Sequence, residues 1–396
     1  MATSTVTYTT SDGPVRATAA EMVRRATELV PVLAARADEC ERLRFIPEQT
    51  LKDFISSGII RISQPVAYGG LGLDMDTVLE VAMALGRGCG SSAWLGSFWP
   101  LHNWMVGMWS KQAQDEYWAD SYDTVSSTAW NMLTSKIETS GGGIRLSGHW
   151  DFSSGIDHAS WAMLFLPGPR MALMPKKDFR IVDNWHVTGL CGTGSKEVFV
   201  ENSFVPDHRI LRMEDAATGH SAGRDLYGTP FYKMPIYTWL TYTLVAPAIG
   251  MAQGAIDSFE ELMRVRVEGI SGNRAGERQS NHLRLAESAA EVDAARLTLR
   301  HNIKLLVDCA SSGNELSTGE RLRIRRDITF AGKLCHRATQ RLFETGGAHA
   351  ILRNTPLQRF TRDVDAAFHS GVLNWDPNGE AYGRFRLGLA PNTFFF

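Results

Sequence analysis

The chain has 396 residues, of which 44% are hydrophobic and 21% charged, and its formal net charge is −2 at pH 7. A globular protein of this length is expected to have two or three domains. The near-neutral charge argues against a nucleic-acid binder, which would show a basic excess or a clustered basic face. No apolar run reaches transmembrane length, and the amino terminus lacks the pattern of a signal peptide. The composition therefore predicts a cytoplasmic protein with neither a membrane nor a nucleic-acid partner.

The cysteines and the common catalytic motifs narrow the chemistry further. The five cysteines are scattered without CxxC spacing, which indicates reduced thiols rather than a disulfide framework or a zinc site. No Walker A loop, HExxH, GxSxG or EF-hand loop is present, and no metal site is predicted. A GxGxxA string at 88–93 follows a predicted helix, whereas a dinucleotide fingerprint must follow a strand. A nicotinamide site is therefore not expected.

Three regions follow one another along the chain. Apolar spacing is helical from about residue 17 to 122, has period two from about 124 to 210, and is helical again from about 237. This pattern predicts an N-terminal helical domain over 1–122, a central β domain over 123–230 and a C-terminal helical bundle over 231–396. The predicted elements, in chain order, are helices over 20–43, 47–58 and 76–87, strands over 143–150, 162–166 and 197–200, helices over 244–266, 281–311, 318–344 and 358–369, and a mobile loop over 269–278.

The most informative stretch runs from Trp150 to Trp161. Aromatic residues alternate there with small hydroxyl residues, so a strand would present rings on one face and serines on the other. Such a surface suits a flat heteroaromatic guest that needs stacking and one or two short hydrogen bonds. The alternative is a sandwich strand whose tryptophans fill a core.

The helix–sheet–helix order and several strings together resemble the acyl-CoA dehydrogenase superfold. They are most similar to its two-component, reduced-flavin-dependent monooxygenases, typified by 4-hydroxyphenylacetate 3-hydroxylase oxygenase components. The strings that carry the resemblance are Trp94 with His102 eight residues on, GHWDFSSGIDH at 148–158, WHVTGLCGTGS at 185–195, ETGG at 344–347, and Arg362-Asp363 with His369 six residues after the aspartate.

The resemblance implies a fold, a cofactor and partners. It implies an α+β, mainly α subunit with a central β-barrel-like sheet and a C-terminal four-helix bundle that assembles into a homotetramer. The cofactor would be reduced FMN or FAD, delivered as a diffusible co-substrate by a separate NAD(P)H-dependent flavin reductase. With O2 it would form a C4a-(hydro)peroxyflavin and hydroxylate a small, hydrophobic aromatic substrate. No adenosine-specific motif distinguishes FAD from FMN.

The resemblance also implies catalytic roles. Ser154 matches the hydroxyl at flavin N5, where it would accept the N5–H bond and slow peroxide loss, and Phe152 is expected to flank the ring. His102 matches an active-site histidine that handles protons. His369 stands where the dehydrogenases carry a catalytic glutamate, and the missing carboxylate disfavours fatty-acyl dehydrogenation. Trp94 and Trp130 are expected, with the two histidines, to enclose the substrate.

Further flavin contacts are implied at eight positions. Thr193-Gly194-Ser195 reads as an amide-rich turn that could bond the flavin edge or a phosphate. Spacing does not decide whether Arg264 or Arg266 is the flavin arginine. The implied positions are Ser127, Thr128, Thr193, Ser195, Arg264, Arg266, Gly346 and Gly347. Three alternatives remain: an N- or S-oxygenase of the same branch, an acyl-CoA dehydrogenase with an unrecognised base, and a flavin-free interaction module.

Overall fold

The computed structural model describes residues 8–10, 13–15, 17–267 and 272–393 of the chain. Part of the predicted loop over 269–278, residues 269–271, lies outside them. The helices in the described ranges are α1 (Ala19–Ala35), α2 (Ala37–Leu43), α3 (Glu48–Ser56), α4 (Met75–Gly86), α5 (Gly90–Val106), α6 (Lys111–Tyr117), α7 (Met213–Ala217), α8 (Ile236–Val265), α9 (Gln279–Ser311), α10 (Thr318–Gly346), α11 (Pro356–Phe368) and α12 (Trp375–Arg386).

The amino-terminal helices follow the predicted pattern with two corrections. The predicted helix over 20–43 is two helices, because the backbone at Arg36 leaves helical geometry and α2 starts afresh after it. Pro47 precedes α3 as its N-cap instead of lying in its first turn. The GxGxxA string joins α4 to α5, so it lies between two helices as the sequence indicated.

The central region contains two four-stranded sheets, in the orders β10-β7-β6-β3 and β4-β5-β9-β8. All neighbours pair antiparallel except β3 and β6, which are parallel. The sheets share a small apolar core that includes Trp150, Leu164 and Val198. A short ribbon, β1 with β2, precedes them. The strands are β1 (Tyr8–Thr10), β2 (Gly13–Val15), β3 (Ser126–Ala129), β4 (Asn131–Ser140), β5 (Gly143–Ser153), β6 (Trp161–Leu166), β7 (Arg170–Pro175), β8 (Arg180–Val182), β9 (Lys196–Pro206) and β10 (Ile210–Arg212).

The stretch from Trp150 to Trp161 is not one strand with one aromatic face, and that prediction was wrong. Strand β5 ends at Ser153 in a tight turn, and its register against β9 shifts between Trp150 and Ser153. Such an irregularity interrupts the alternation of side chains. Trp150 is fully buried, whereas Phe152 has a φ of 65° and is 59% exposed. The Trp150 ring therefore packs in the core of the sheets, whereas the Phe152 ring lies at the surface.

Helix α5 runs through the interior between the sheets and the carboxy-terminal helices. All 17 of its residues are buried, which explains why apolar residues occur on every side of the helix. It packs against α4, α8 and β3. The long helices α8, α9, α10 and α11 pack on one another, and α10 opens with a capping box between Ser317 and Glu320. Among the described residues, no helix is long and apolar enough to cross a membrane.

Candidate functional site

One face of α5 carries three aromatic rings toward the sheets. Trp94, Phe98 and His102 are spaced four residues apart, so successive rings lie on the same side of the helix. The centroids of Trp94 and Phe98 are 5.3 Å apart, and Phe98 stacks on His102 at 5.5 Å. Phe98 was not predicted, although its i+4 spacing from both neighbours could have identified it. This face supplies a dry wall with a histidine at one end.

The hydrogen bonds of His102 define which of its nitrogens is basic. Nδ1 lies 2.7 Å from the carbonyl oxygen of Ser126, which can only accept, so Nδ1 carries the hydrogen. Nε2 lies 3.2 Å from the hydroxyl of Thr128 and is the nitrogen with a lone pair. Burial lowers the pKa of His102 to about 4. The imidazole is therefore neutral near pH 7 and can accept a proton at Nε2.

Ser154 lies in the turn after β5, within a continuous series of side-chain hydrogen bonds. The indole nitrogen of Trp94 donates to Ser154 Oγ at 3.3 Å, and Ser154 Oγ lies 2.7 Å from Ser195 Oγ. Ser195 Oγ lies 2.7 Å from Thr193 Oγ1, which donates to the carbonyl of Leu190 at 2.9 Å. We call these groups the hydroxyl chain. Ser154 is half-buried, whereas Thr193 and Ser195 are buried, so their hydroxyls lie behind Ser154.

Strand β3 supports both halves of this arrangement. Ser127 Oγ donates to the carbonyl of Ser154 at 2.7 Å and lies 2.7 Å from Ser153 Oγ. The next residue, Thr128, faces His102 instead. Ser127 and Ser153 are fully buried. Ser127 therefore holds the turn that presents Ser154, and its direct contact with flavin stays a prediction.

Helix α11 anchors the turn that carries Thr193 and Ser195. Leu190 has a φ of 51°, and its backbone N–H donates to Asp363 Oδ1 at 2.6 Å. Arg362 donates to the carbonyl of Thr188 and, at 2.8 Å, to Glu41 of α2. A side chain at Gly189 would meet the carbonyl of Arg362, so the close approach requires glycine. Residues 362 and 363 marked the family resemblance, but no sequence spacing connected them to residue 190.

Asp363 makes stability depend on pH. Burial raises its pKa to about 7 from an ordinary value of 3.8. The folded state therefore binds a proton that the unfolded state loses, and this stabilisation, complete below pH 3.8, is lost as pH rises through about 7. Asp363→Asn keeps an acceptor for the Leu190 N–H without the charge. In the wild-type protein we expect the free energy of unfolding to fall by up to roughly 4 kcal/mol between these pH values. In Asp363→Asn this fall should be absent.

Chemical denaturation of both proteins across this pH range measures the difference. Asp293→Asn, at an exposed carboxylate on α9, is the control and should keep the wild-type pH dependence. Identical pH dependence in wild type and Asp363→Asn would contradict the assignment.

His369 lies apart from these groups in the single chain. It follows α11 as its C-cap, its side chain is 77% exposed, and its Nε2 is 3.7 Å from Asp365. Among the described residues, no hydrogen bond, ion pair or ring contact joins His369 to Ser154 or His102. Its catalytic role therefore stays a prediction.

The two arginines at the end of α8 are distinguished by their contacts. Arg266 Nη1 donates to the carbonyl of Gly346 at 2.7 Å, and its guanidinium would lie 3.4 Å from a Cβ at Gly347, whose φ is 61°. The buried Nε of Arg266 has no hydrogen-bond partner among the described residues. Arg264 is exposed and paired with Glu260 at 2.6 Å. Arg266 and the glycine pair thus form a cationic, backbone-lined cradle that suits an anionic group, and its contact with flavin stays a prediction.

Two aromatic residues expected at the site differ in their surroundings. Phe152 lies in the left-handed region and makes an edge contact with Trp185 at 6.2 Å. A non-glycine residue held there commonly marks a functional constraint. Trp130 stacks on Phe165 at 5.6 Å, and its buried indole nitrogen has no partner in the described part of the chain. Trp130 therefore has a buried donor that no protein acceptor in that part of the chain satisfies.

Comparison with known proteins agrees with this geometry. The family models that match are "Acyl-CoA dehydrogenase, N-terminal domain" over residues 15–121 and "Acyl-CoA dehydrogenase, C-terminal domain" over residues 242–374. The flavin-dependent monooxygenase oxygenase subunit HsaA of Rhodococcus jostii RHA1 is 36% identical, covering 93% of this chain and 98% of that protein. The p-hydroxyphenylacetate 3-hydroxylase oxygenase component of Acinetobacter baumannii is 30% identical, over 94% and 90%. The structure of XiaF from Streptomyces sp. with FADH2 and glycerol superposes with a TM-score of 0.87 at 28% identity, over 95% and 97%.

The chain belongs to the acyl-CoA dehydrogenase fold family. The predicted fold class is thereby confirmed. Within that family it is a flavin-dependent monooxygenase, an oxygenase component that uses reduced flavin. The resemblance inferred from the sequence strings is confirmed as well.

Proposed function

We propose that this oxygenase component receives reduced FMN or FAD from a separate NAD(P)H-dependent flavin reductase and hydroxylates a phenol-like, hydrophobic aromatic substrate between α5 and β3. The observation that carries the proposal is the adjacency of two proton-handling groups along one dry aromatic wall. Trp94 connects to Ser154, and eight residues on His102 bonds Thr128. A relative named for p-hydroxyphenylacetate supports a phenolic substrate.

The residues fit a reduced flavin. Bound reduced flavin would supply the electrons for O2 and deliver one oxygen atom to the substrate. Ser154 Oγ has an acceptor position left after its protein contacts and would hold the proton at N5. The buried rings of Trp94 and Phe98 exclude water, which strengthens that bond.

His102 would manage the phenolic proton. A phenol in contact with Thr128 would pass its proton to Nε2 through the threonine hydroxyl. The phenolate would in turn favour the protonated imidazole, because an adjacent opposite charge offsets part of the desolvation. The free indole N–H of Trp130, two residues after Thr128 along the chain, would orient a polar group of the substrate.

We further propose a cytoplasmic homotetramer in which the cradle of Arg266, Gly346 and Gly347 serves the nucleotide tail of a flavin bound by a neighbouring copy. The cradle lies at the ends of α8 and α10, and no contact given by the described residues joins it to the Ser154 turn. All five cysteines are free thiols, which is consistent with a reducing compartment.

The test is oxygenation of a library of phenols, polyketide-like aromatics, amines and thiophenes with enzymatically reduced flavin. Mass spectrometry and a peroxide assay would be read together. We expect one oxygen atom in an aromatic ring, with less peroxide than flavin consumed. Oxygen found only on nitrogen or sulfur would favour the N- or S-oxygenase. Stoichiometric peroxide without product across the library would contradict the proposal.

Changing Arg266 tests the cradle. Arg266→Lys retains the charge but loses the planar fork that meets Gly346 and an anion together. We expect reduced FAD to bind about tenfold more weakly. Arg264→Lys, at the exposed neighbouring arginine, is the control and should bind as wild type. Anaerobic fluorescence titration gives both affinities, and equal effects of the two variants would contradict the choice of Arg266.

Changing His369 tests its predicted role in catalysis. His369→Ala should lower product yield about tenfold, because proton handling contributes at least this much to such reactions. Affinity for reduced flavin should stay within a factor of about two, since a side chain that is 77% exposed makes little packing contribution. Single-turnover product analysis and flavin titration separate the two effects. Equal losses in both would indicate a structural position instead.

A further inference from the structure

In the hydroxyl chain every hydroxyl donates toward the same end, and the contact at the buried end determines which end that is. Thr193 Oγ1 lies 2.9 Å from the carbonyl oxygen of Leu190, which has no hydrogen to give. Two oxygens at this distance with no hydrogen between them would repel. The hydrogen of Thr193 therefore points to Leu190, and Thr193 can only accept from Ser195 at 2.7 Å.

The same argument passes along the chain to its open end. Because the Ser195 hydrogen is used on Thr193, Ser195 must accept the hydrogen of Ser154 at 2.7 Å. The indole nitrogen of Trp94 is a donor only and occupies one lone pair of Ser154. Ser154 Oγ is thus left with one acceptor position and no hydrogen to donate. The direction of these hydrogen bonds is therefore set by Thr193 and Leu190, at the buried end of the hydroxyl chain.

We propose that Thr193 and Ser195, together with Trp94, act as positioning residues that make the site select reduced over oxidised flavin. The proposal rests on Ser154 meeting flavin N5. Reduced flavin presents an N–H at N5, whereas oxidised flavin presents a lone pair there. An acceptor-only Ser154 bonds the first and repels the second. Reduced flavin would thus bind productively, and oxidised flavin would be released after turnover.

The test is a binding ratio and needs no turnover. The dissociation constants of oxidised and of photoreduced FMN would be measured anaerobically, and their ratio compared between variants. In Ser195→Ala, Ser154 is free to turn its hydrogen toward N5, so we expect the ratio of oxidised to reduced constants to fall about tenfold. Thr193→Val removes the anchor and should lower the ratio as well. Thr193→Ser restores the hydroxyl and should restore the ratio.

A matched control and the Ser154 variant separate the possible failures. Ser97→Ala on α5 removes an equally buried hydroxyl that donates to the carbonyl of Thr243 at 2.6 Å, outside the chain, and should leave the ratio unchanged. If Ser154→Ala lowers the ratio while Ser195→Ala and Thr193→Val do not, the positioning role is wrong and the N5 contact stands. If Ser154→Ala itself has no effect on the ratio, the N5 contact is wrong and the inference goes with it.

Discussion

Replacing His102 by asparagine is expected to lower hydroxylation of a phenolic substrate about 100-fold or more, which is the usual contribution of a positioned general base. The asparagine amide is not basic, so it cannot take a proton from Thr128, the group that bonds Nε2. Binding of reduced flavin should change little, because the contacts of His102 are to Ser126 and Thr128. Rapid-quench product analysis at saturating reduced flavin measures the effect.

The pH profile supplies a second measure for His102. Its pKa of about 4 predicts that wild-type activity persists on the acid side to about pH 5, well below the ordinary range of histidine. His158→Gln is the matched control, because His158 is also a largely buried histidine that meets a backbone carbonyl, that of Ile46, at 2.8 Å. Retained activity in His102→Asn, or an equal loss in the control, would rule out the proton role.

Replacing Ser154 by alanine is expected to redirect the reaction toward hydrogen peroxide. Without the hydroxyl, the N5 proton of the flavin loses its acceptor, and Trp94 and Ser195 lose their shared partner. We expect the fraction of flavin oxidation that yields product to fall about tenfold, the effect of one hydrogen bond in a dry site. The total rate of flavin oxidation should fall much less.

Peroxide and product measured in the same reaction give this coupling directly. Ser153→Ala is a close comparison, since Ser153 is the adjacent serine but its hydroxyl bonds Ser127 inside the protein. Its coupling should stay nearer to wild type. Unchanged coupling in Ser154→Ala would remove this residue from the N5 position.

Local chemistry made most of the fold predictable. Helices such as α9 and α10 were predicted to within two residues of their observed ends, because their apolar spacing is regular and Ser317 caps the second. The break at Arg36 was missed because both sides keep the same amphipathic pattern. The turn after β5 was missed because alternating residue types look the same in a strand and in a strand that ends in an irregular register.

Residue spacing alone connects residues of the site only where they are neighbours on one element. Trp94 and His102 share a helix face, so their partnership can be read from spacing. The contact of Asp363 with Leu190 joins residues 173 positions apart, and no periodicity reports on such a contact. The sequence does not distinguish Arg264 from Arg266. In the structure Arg266 contacts Gly346 at the end of α10, whereas Arg264 is exposed and pairs with Glu260.

The anchoring of the Leu190 turn by α11 has a consequence for the integrity of the active centre. Arg362 and Asp363 hold that turn from the far end of the polypeptide, and Arg362 also reaches Glu41 near its beginning. A chain that ended before α11 would contain Thr193 and Ser195 of the Leu190 turn. It would lack Arg362 and Asp363, which fix the conformation of that turn. The orientation of the Ser154 hydroxyl thus depends on contacts between distant parts of the chain, and not only on the sequence around the turn.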